Sequence, residues 1–235
     1  MLRVTIMLAT VLLVSVPTAS AHYLWVTVDA SSGEQGTMNL YFEGGASPGD
    51  GKYLDPFVNH GKSWLRTLDQ EKATELEMVE VKKDNKRWLS SKLPSAGPRV
   101  IESYGKWGVY PYGNTDVLLH YYAKNFDVKA VEQLEKLGTS SNLKLDMRPS
   151  WSGKSLQLQV FWQGKPASKL SVSVRGPKGF KKDLKTDDKG VVSFEPKNGG
   201  RYTLKTSVQE EKGGTDAGKE YQQIRHHATM LTTLP

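Results

Sequence analysis

SLQLQVFWQGKPASKLSVSVRGPKGFKKDLKTDDKGVVSFEPKNGGRYTLKTSV, residues 155–208, is the stretch whose reading decides the fold. Ser155–Trp162, Ser168–Arg175, Lys181–Lys185, Val191–Glu195 and Gly200–Val208 are short runs rich in β-branched and aromatic residues. Turn signals separate them: Gly164-Lys165-Pro166, Gly176-Pro177-Lys178-Gly179, Asp187-Asp188-Lys189-Gly190 and Asn198-Gly199-Gly200. Successive side chains of a strand point to opposite faces. Short alternating runs broken by a turn about every ten residues therefore build antiparallel sheets packed face to face.

The same pattern continues outward from this stretch. Leu143–Met147 adds a strand before it, and a polar loop at 209–219 leads to a last strand within Tyr221–Leu234. Upstream, His22–Val28, Met38–Phe42, Ser63–Leu68, Thr74–Lys82, Arg87–Leu93, Val100–Val109 and Val117–Ala123 are further strands. Residues 46–62 hold two Pro and three Gly and form a long loop with room for one turn of helix. Val128, Val131, Leu134 and Leu137 are spaced three apart before Gly138, which predicts one short helix near 127–137. The expected fold is all-β: two antiparallel β-sandwich domains in tandem, residues 22–142 and 143–235, after a signal peptide at 1–21.

That signal peptide sets the compartment. Arg3 precedes an apolar run from Val4 to Val16, and Ala19-Ser20-Ala21 offers the small-x-small site of a signal peptidase. The run has 13 residues, short of the roughly 20 that span a bilayer. No later segment is apolar enough to cross a membrane, so after cleavage the chain is not expected to span one. The absence of cysteine excludes disulfides, thiolate metal sites and a cysteine nucleophile. Lys+Arg number 32 against 25 Asp+Glu, for a formal charge of +7. Export argues against nucleic acid as the partner of that charge. The expected location is the periplasm or the exterior of a bacterium.

Cleavage after Ala21 makes His22 the mature N-terminus. Its α-amine and imidazole Nδ1 then chelate one ion together, and a second histidine would complete a three-nitrogen site suited to copper and also to nickel. This arrangement resembles the histidine brace of lytic polysaccharide monooxygenases and of copper carriers with a sandwich fold. The candidate partners are His60, His120, His226 and His227. His226 and His227 are consecutive on a strand and face opposite sides, so only one can join His22. His226 is the first choice and His120 the second. His120 also reads as a sheet-face histidine held by a hydrogen bond, and His60 as a solvated loop residue. The expected ligand set is His22, His226 and His120, for nickel, cobalt or copper.

Hydrolase signatures are missing: there is no His-Glu-x-x-His helix, nucleophile elbow or phosphate loop. Binding, rather than turnover, is the chemistry this sequence suggests. Tyr104, Trp107, Tyr110 and Tyr112 form an aromatic run among glycines. Such rings either stack on sugars or pack between the two sandwiches, and the second is the default expectation. Lys178, Lys181, Lys182 and Lys185 read as a basic sheet edge that blocks strand addition.

Ala21-His22-Tyr23-Leu24-Trp25-Val26, Leu40-Tyr41-Phe42-Glu43, Leu118–Lys124, Trp162–Pro166 and Arg225–Thr229 occur in this order. Together they resemble a bacterial exported domain-of-unknown-function family. Its members are often labelled periplasmic components of ABC-type cobalt or nickel transport systems. The resemblance implies a β-rich periplasmic protein with a metal role and a membrane transport complex as partner. The family's second strand often ends Phe-Gly-Glu, whereas here it reads Phe42-Glu43-Gly44, a departure that leaves Glu43 without an assigned role. Gly164-Lys165-Pro166, Val172, Val174, Gly176-Pro177, Thr186-Asp187, Gly190, Phe194, Gly200 and Tyr202 resemble carboxypeptidase-regulatory and immunoglobulin-like sandwiches. That likeness implies immunoglobulin-like domains and carries no chemistry.

The first functional expectation is an exported carrier or uptake component for nickel, cobalt or copper, anchored by His22. The alternatives are a non-catalytic module that binds carbohydrate or protein, and a copper oxidase of the monooxygenase type.

Overall fold

The computed structural model describes residues 22–234; the expected signal segment lies outside them. In chain order the strands are β1 (Tyr23–Asp29), β2 (Thr37–Glu43), β3 (Lys62–Thr67), β4 (Thr74–Leu76), β5 (Val79–Lys83), β6 (Lys86–Lys92), β7 (Arg99–Tyr112), β8 (Thr115–Asp127) and β9 (Leu145–Ser152). They continue as β10 (Ser155–Trp162), β11 (Lys165–Pro166), β12 (Ser171–Arg175), β13 (Lys181–Lys185), β14 (Val191–Phe194), β15 (Gly200–Glu210), β16 (Gly214–Asp216), β17 (Lys219–Tyr221) and β18 (Gln223–Leu234). Helix α1 (Asp55–His60) fills the long glycine- and proline-bearing loop, and α2 is Val131–Gly138. The fold is mainly β, as expected.

An eight-stranded sheet, ordered β13-β12-β15-β18-β8-β7-β3-β4, is the centre of the molecule. The halves expected on either side of residue 142 both supply strands to it. They join where β18 runs parallel to β8, with His226 opposite His120 and His227 opposite Tyr121. This pair departs from the all-antiparallel expectation, because the last strand returns to the first half instead of closing a hairpin. Strand alternation then sorts side chains onto two faces. Val117, Leu119, Tyr121 and Ala123 of β8 enter one core with Leu24, Val26, Leu40 and Phe42 of the sheet β1-β2-β6-β5. Tyr122 and Phe126 enter a second core with Met147, Leu156, Leu158 and Val160 of β9 and β10, joined by Val172, Leu204 and Met230. Two sandwiches thus share one central sheet, one on each face.

Strand β1 is the edge of its own sheet, and its outward carbonyls are satisfied by the central sheet. Thr229 Oγ1 donates to the Leu24 carbonyl at 2.6 Å and Asn125 Nδ2 to that of Val26 at 3.2 Å. An edge so covered cannot template another strand. At the far edge of the central sheet lies β13, carrying Lys181, Lys182 and Lys185 as the expected basic edge.

Two expectations are corrected in detail. The helix begins at Val131, not at 127, because Gln133 Oε1 accepts the amides of Lys129 and Ala130 and holds Ala130 extended. The aromatic run does not pack between the sandwiches as a block. A bulge between Lys106 and Gly108 shifts the register of β7 and turns Tyr110 and Tyr112 toward the β1 side, where both are exposed. Tyr104 stays in the second core.

A buried ion network holds the segment that links the halves. The Lys124 ammonium, 2 % exposed, bonds Asp146 and the Gly138 carbonyl (2.8 Å) and lies 3.7 Å from Glu102. Glu102 in turn accepts from Ser140 Oγ (2.7 Å) and Asn142 Nδ2 (3.2 Å), while Asp146 accepts from Arg148 (2.9 Å) and the Ser140 amide (3.2 Å). Removing one partner of a buried pair leaves the other charge uncompensated. Lys124→Met should therefore cost about 3 kcal/mol in urea unfolding, whereas exposed Lys82→Met should cost under about 0.5 kcal/mol; equal costs would show that the network carries no special weight.

Candidate functional site

The three histidines selected from sequence fall on two faces of the central sheet. His120 and His226 are cross-strand neighbours on the face toward β10. Their rings stack at 4.9 Å with a tilt of 13°, and Trp162 packs on His226 at 4.4 Å. His226 Nε2 faces Glu210 Oε1 at 2.9 Å, and its Nδ1 faces the Tyr122 hydroxyl at 3.1 Å. A carboxylate only accepts, so Nε2 donates to Glu210 and Nδ1 accepts from Tyr122 when the ring is neutral. His226, 4 % exposed, has both nitrogens engaged. His120 Nδ1 pairs with the Tyr104 hydroxyl at 2.9 Å. Burial, aided by neighbouring His226, holds the His120 pKa down to about 4. Burial also lowers that of His226, against the opposing pull of Glu210. Burial thus favours the neutral form of both imidazoles, which are hydrogen-bonded and stacked on each other.

His22 lies on the other face, just before β1. Its ring contacts Tyr53 edge-on at 5.1 Å and Phe42 at 5.8 Å, and Phe42 packs on Tyr121 at 4.8 Å. The central sheet separates it from His120 and His226, so the structure does not bring the expected set together. His60 ends α1 and is exposed. Among the described residues no group of three or more His, Asp or Glu side chains is placed to hold a metal ion.

Glu43 is the neighbour that sequence reasoning missed. Its carboxylate lies 3.8 Å from His22 Nε2, with 15 % of its side chain exposed. The loop after β2 is shaped around it. The Gly51 amide donates to Glu43 Oε1 at 3.1 Å, and a Cβ on Gly49 would collide with the same carboxylate. Gly51 also has φ +63°, a left-handed value that suits glycine. The available signal was the β1–β2 hairpin: Tyr23 pairs with Glu43, which sets Glu43 beside the start of β1.

From His22 a chain of rings follows the rim of this face: Tyr53 to Trp107 at 6.4 Å, Trp107 to Tyr110 at 5.5 Å and Tyr110 to Tyr112 at 5.2 Å. Trp107 Nε1 donates to the Tyr53 carbonyl at 3.2 Å, the consequence of the bulge. The Arg225 guanidinium caps the row 4.9 Å from the Tyr112 ring centre. Behind the row, His227 stacks on Tyr121 at 5.1 Å and meets Tyr23 edge-on at 5.5 Å. Among the described residues neither of its buried ring nitrogens has a hydrogen-bond partner.

The family model described as Domain of unknown function (DUF4198) matches residues 19–210. The chain belongs to that family. The matched span of this DUF4198 chain includes His22, Glu43 and His120 and ends before His226 and His227. No curated protein matches the chain.

Two outcomes follow from the histidines. Burial lowers the folded pKa of both His120 and His227 to about 4, below the ~6.5 of an unfolded chain. Between those values the unfolded state binds more protons, so stability falls as pH drops from about 6.5 toward 4. The urea midpoint should be lower at pH 5 than at pH 7, and the double variant H120F/H227F should lose most of that difference; an unchanged wild-type midpoint contradicts it. Replacing His227 alone by Phe removes two unsatisfied buried nitrogens and should raise stability at pH 7 by about 1 kcal/mol, read from the same titrations.

Proposed function

We propose that this chain is an exported metal-binding protein of the periplasm, a carrier or uptake component for nickel, cobalt or copper, with His22 as its anchor. The observation that carries the reading is the Glu43 carboxylate held by a glycine loop behind His22 Nε2. Metal-binding histidines commonly give their second ring N–H to a carboxylate, which sets ring orientation and raises the basicity of the ligating nitrogen. Cleavage after Ala21 would leave Nδ1 and the α-amine of His22 as a chelating pair. An α-amine with a pKa near 8 loses its proton readily when a metal competes for it.

Two protein nitrogens leave the rest of the coordination sphere to water or to an acceptor. Such a site binds and releases, as a carrier for a membrane transport complex must. By ligand type the affinity order is copper over nickel over cobalt. The oxidase alternative needs a third nitrogen, and His120 and His226 stand across the central sheet from His22. The carbohydrate alternative draws on exposed Tyr110 and Tyr112, but their rings are tilted by 66° and present no flat platform for a sugar.

Calorimetric titration of Cu(II), Ni(II) and Co(II) into protein beginning at His22 should show one-to-one binding, lost when one residue is added before His22. Glu43→Gln should weaken binding by about tenfold, and His226→Gln should leave it unchanged. Equal binding by the native and extended forms would refute the N-terminal anchor.

A further inference from the structure

On the β1 side the smaller sheet covers the central sheet as far as β18, where Thr229 bonds the Leu24 carbonyl. Toward β15, β12 and β13 it is open, and Tyr23 stands beside it as a wall. The result is a groove of about 560 Å³, lined by Tyr23, Ser173, Lys185, Lys205, Ser207 and His227 among others. That volume is in the usual range for small-ligand sites, about 300–1,000 Å³. Register places its polar groups in rows: Ser173 lies between Asp183 and Lys205, Lys185 is opposite Ser171, and Ser207 is opposite His227.

The charge of this groove is unbalanced. Asp183 is already taken by a two-pronged pair with Arg175, at 2.9 and 3.4 Å. Among the described residues neither Lys185 nor Lys205 forms an ion pair within 4 Å, since the Asp183 carboxylate is held by Arg175. Lys205 is half-buried, with its ammonium 4.2 Å from the centre of the Tyr23 ring, and desolvation there lowers its pKa. A half-buried cation that forms no ion pair, hydroxyls on either side and the one ring N–H of neutral His227 are complementary to an anion rich in oxygen. The two lysines lie two strands apart and two residues out of register, a diagonal spacing that lets them meet two anionic groups of one ligand.

We propose that this groove binds a hydroxylated polycarboxylate, with carboxylates on Lys205 and Lys185 and hydroxyls on the serine row. Acidic oligosaccharides and small hydroxy acids share that chemistry. The site is independent of the metal reading, since none of its charged groups takes part in it.

The test is titration of full-length mature protein with digalacturonate, citrate, cellobiose and inorganic phosphate, followed by calorimetry and by thermal unfolding. At least one of the two acids should bind and raise the unfolding temperature; which one does identifies the source. Lys205→Met should weaken that binding about tenfold, the loss of one charge-assisted contact. His227→Phe should weaken it as well while the unliganded protein becomes no less stable. Should Lys205→Met fail to fold, Lys205→Gln and Lys185→Gln report on the same contacts. The proposal is overturned if neither acid binds at about 10 mM, if binding survives the lysine substitutions, or if cellobiose or phosphate binds equally well.

Discussion

Parallel pairing of β18 with β8 is the constraint on which the rest of the molecule depends. It sets His226 beside His120 and His227 beside Tyr121, and strand alternation then sends these pairs to opposite faces. Two cores follow, one under each face, and with them two separate chemical environments. The pairing also closes the fold, because the last strand returns to the first half of the chain. The buried Lys124–Asp146–Glu102 network acts at the same junction. It fastens the segment after α2 against β7, β8 and β9, so both sandwiches are held to a common sheet.

The division of faces determines what each histidine does. On the β10 side, His120 and His226 are neutral, stacked and bonded to tyrosines, with Glu210 holding the second nitrogen of His226. Their surroundings are complete without a ligand. On the β1 side, the arrangement is open. His22 has a carboxylate behind its ring, and among the described residues the two buried nitrogens of His227 have no hydrogen-bond partner. An unsatisfied buried imidazole lowers stability, and its persistence beside a cationic groove suits a role in binding better than one in packing.

Much of the fold was legible in local pattern. The strand and turn rhythm between Ser155 and Val208 reappears in β10 to β15 with shifted ends, β12 starting at Ser171 instead of Ser168 and Lys165-Pro166 pairing as β11, because alternation and turn chemistry are short-range properties. The lysines of β13 were readable as an edge for the same reason. The pairing of β18 with β8 was not, since it joins residues about a hundred positions apart with no turn to announce it. The opposed directions of His226 and His227 were correctly read from alternation, but which face each would take depended on that long-range pairing. His226 accordingly lies beside His120 on the face away from His22, while Glu43, one hairpin away from His22, went unassigned. The bulge at Trp107 was equally hidden: a one-residue slip reverses the faces of Tyr110 and Tyr112 without any marked change in composition.

The central claim is that His22 anchors a metal ion through Nδ1 and the α-amine, backed by Glu43. The most direct measurement is electron spin echo envelope modulation of Cu(II)-loaded protein that begins at His22, with and without ¹⁵N in its histidines. The account predicts modulation from the remote nitrogen of a single imidazole, which persists when His120 and His226 are both replaced by Gln. Modulation from two imidazoles, or its loss in that double variant, would contradict it and return the site to the opposite face of the sheet.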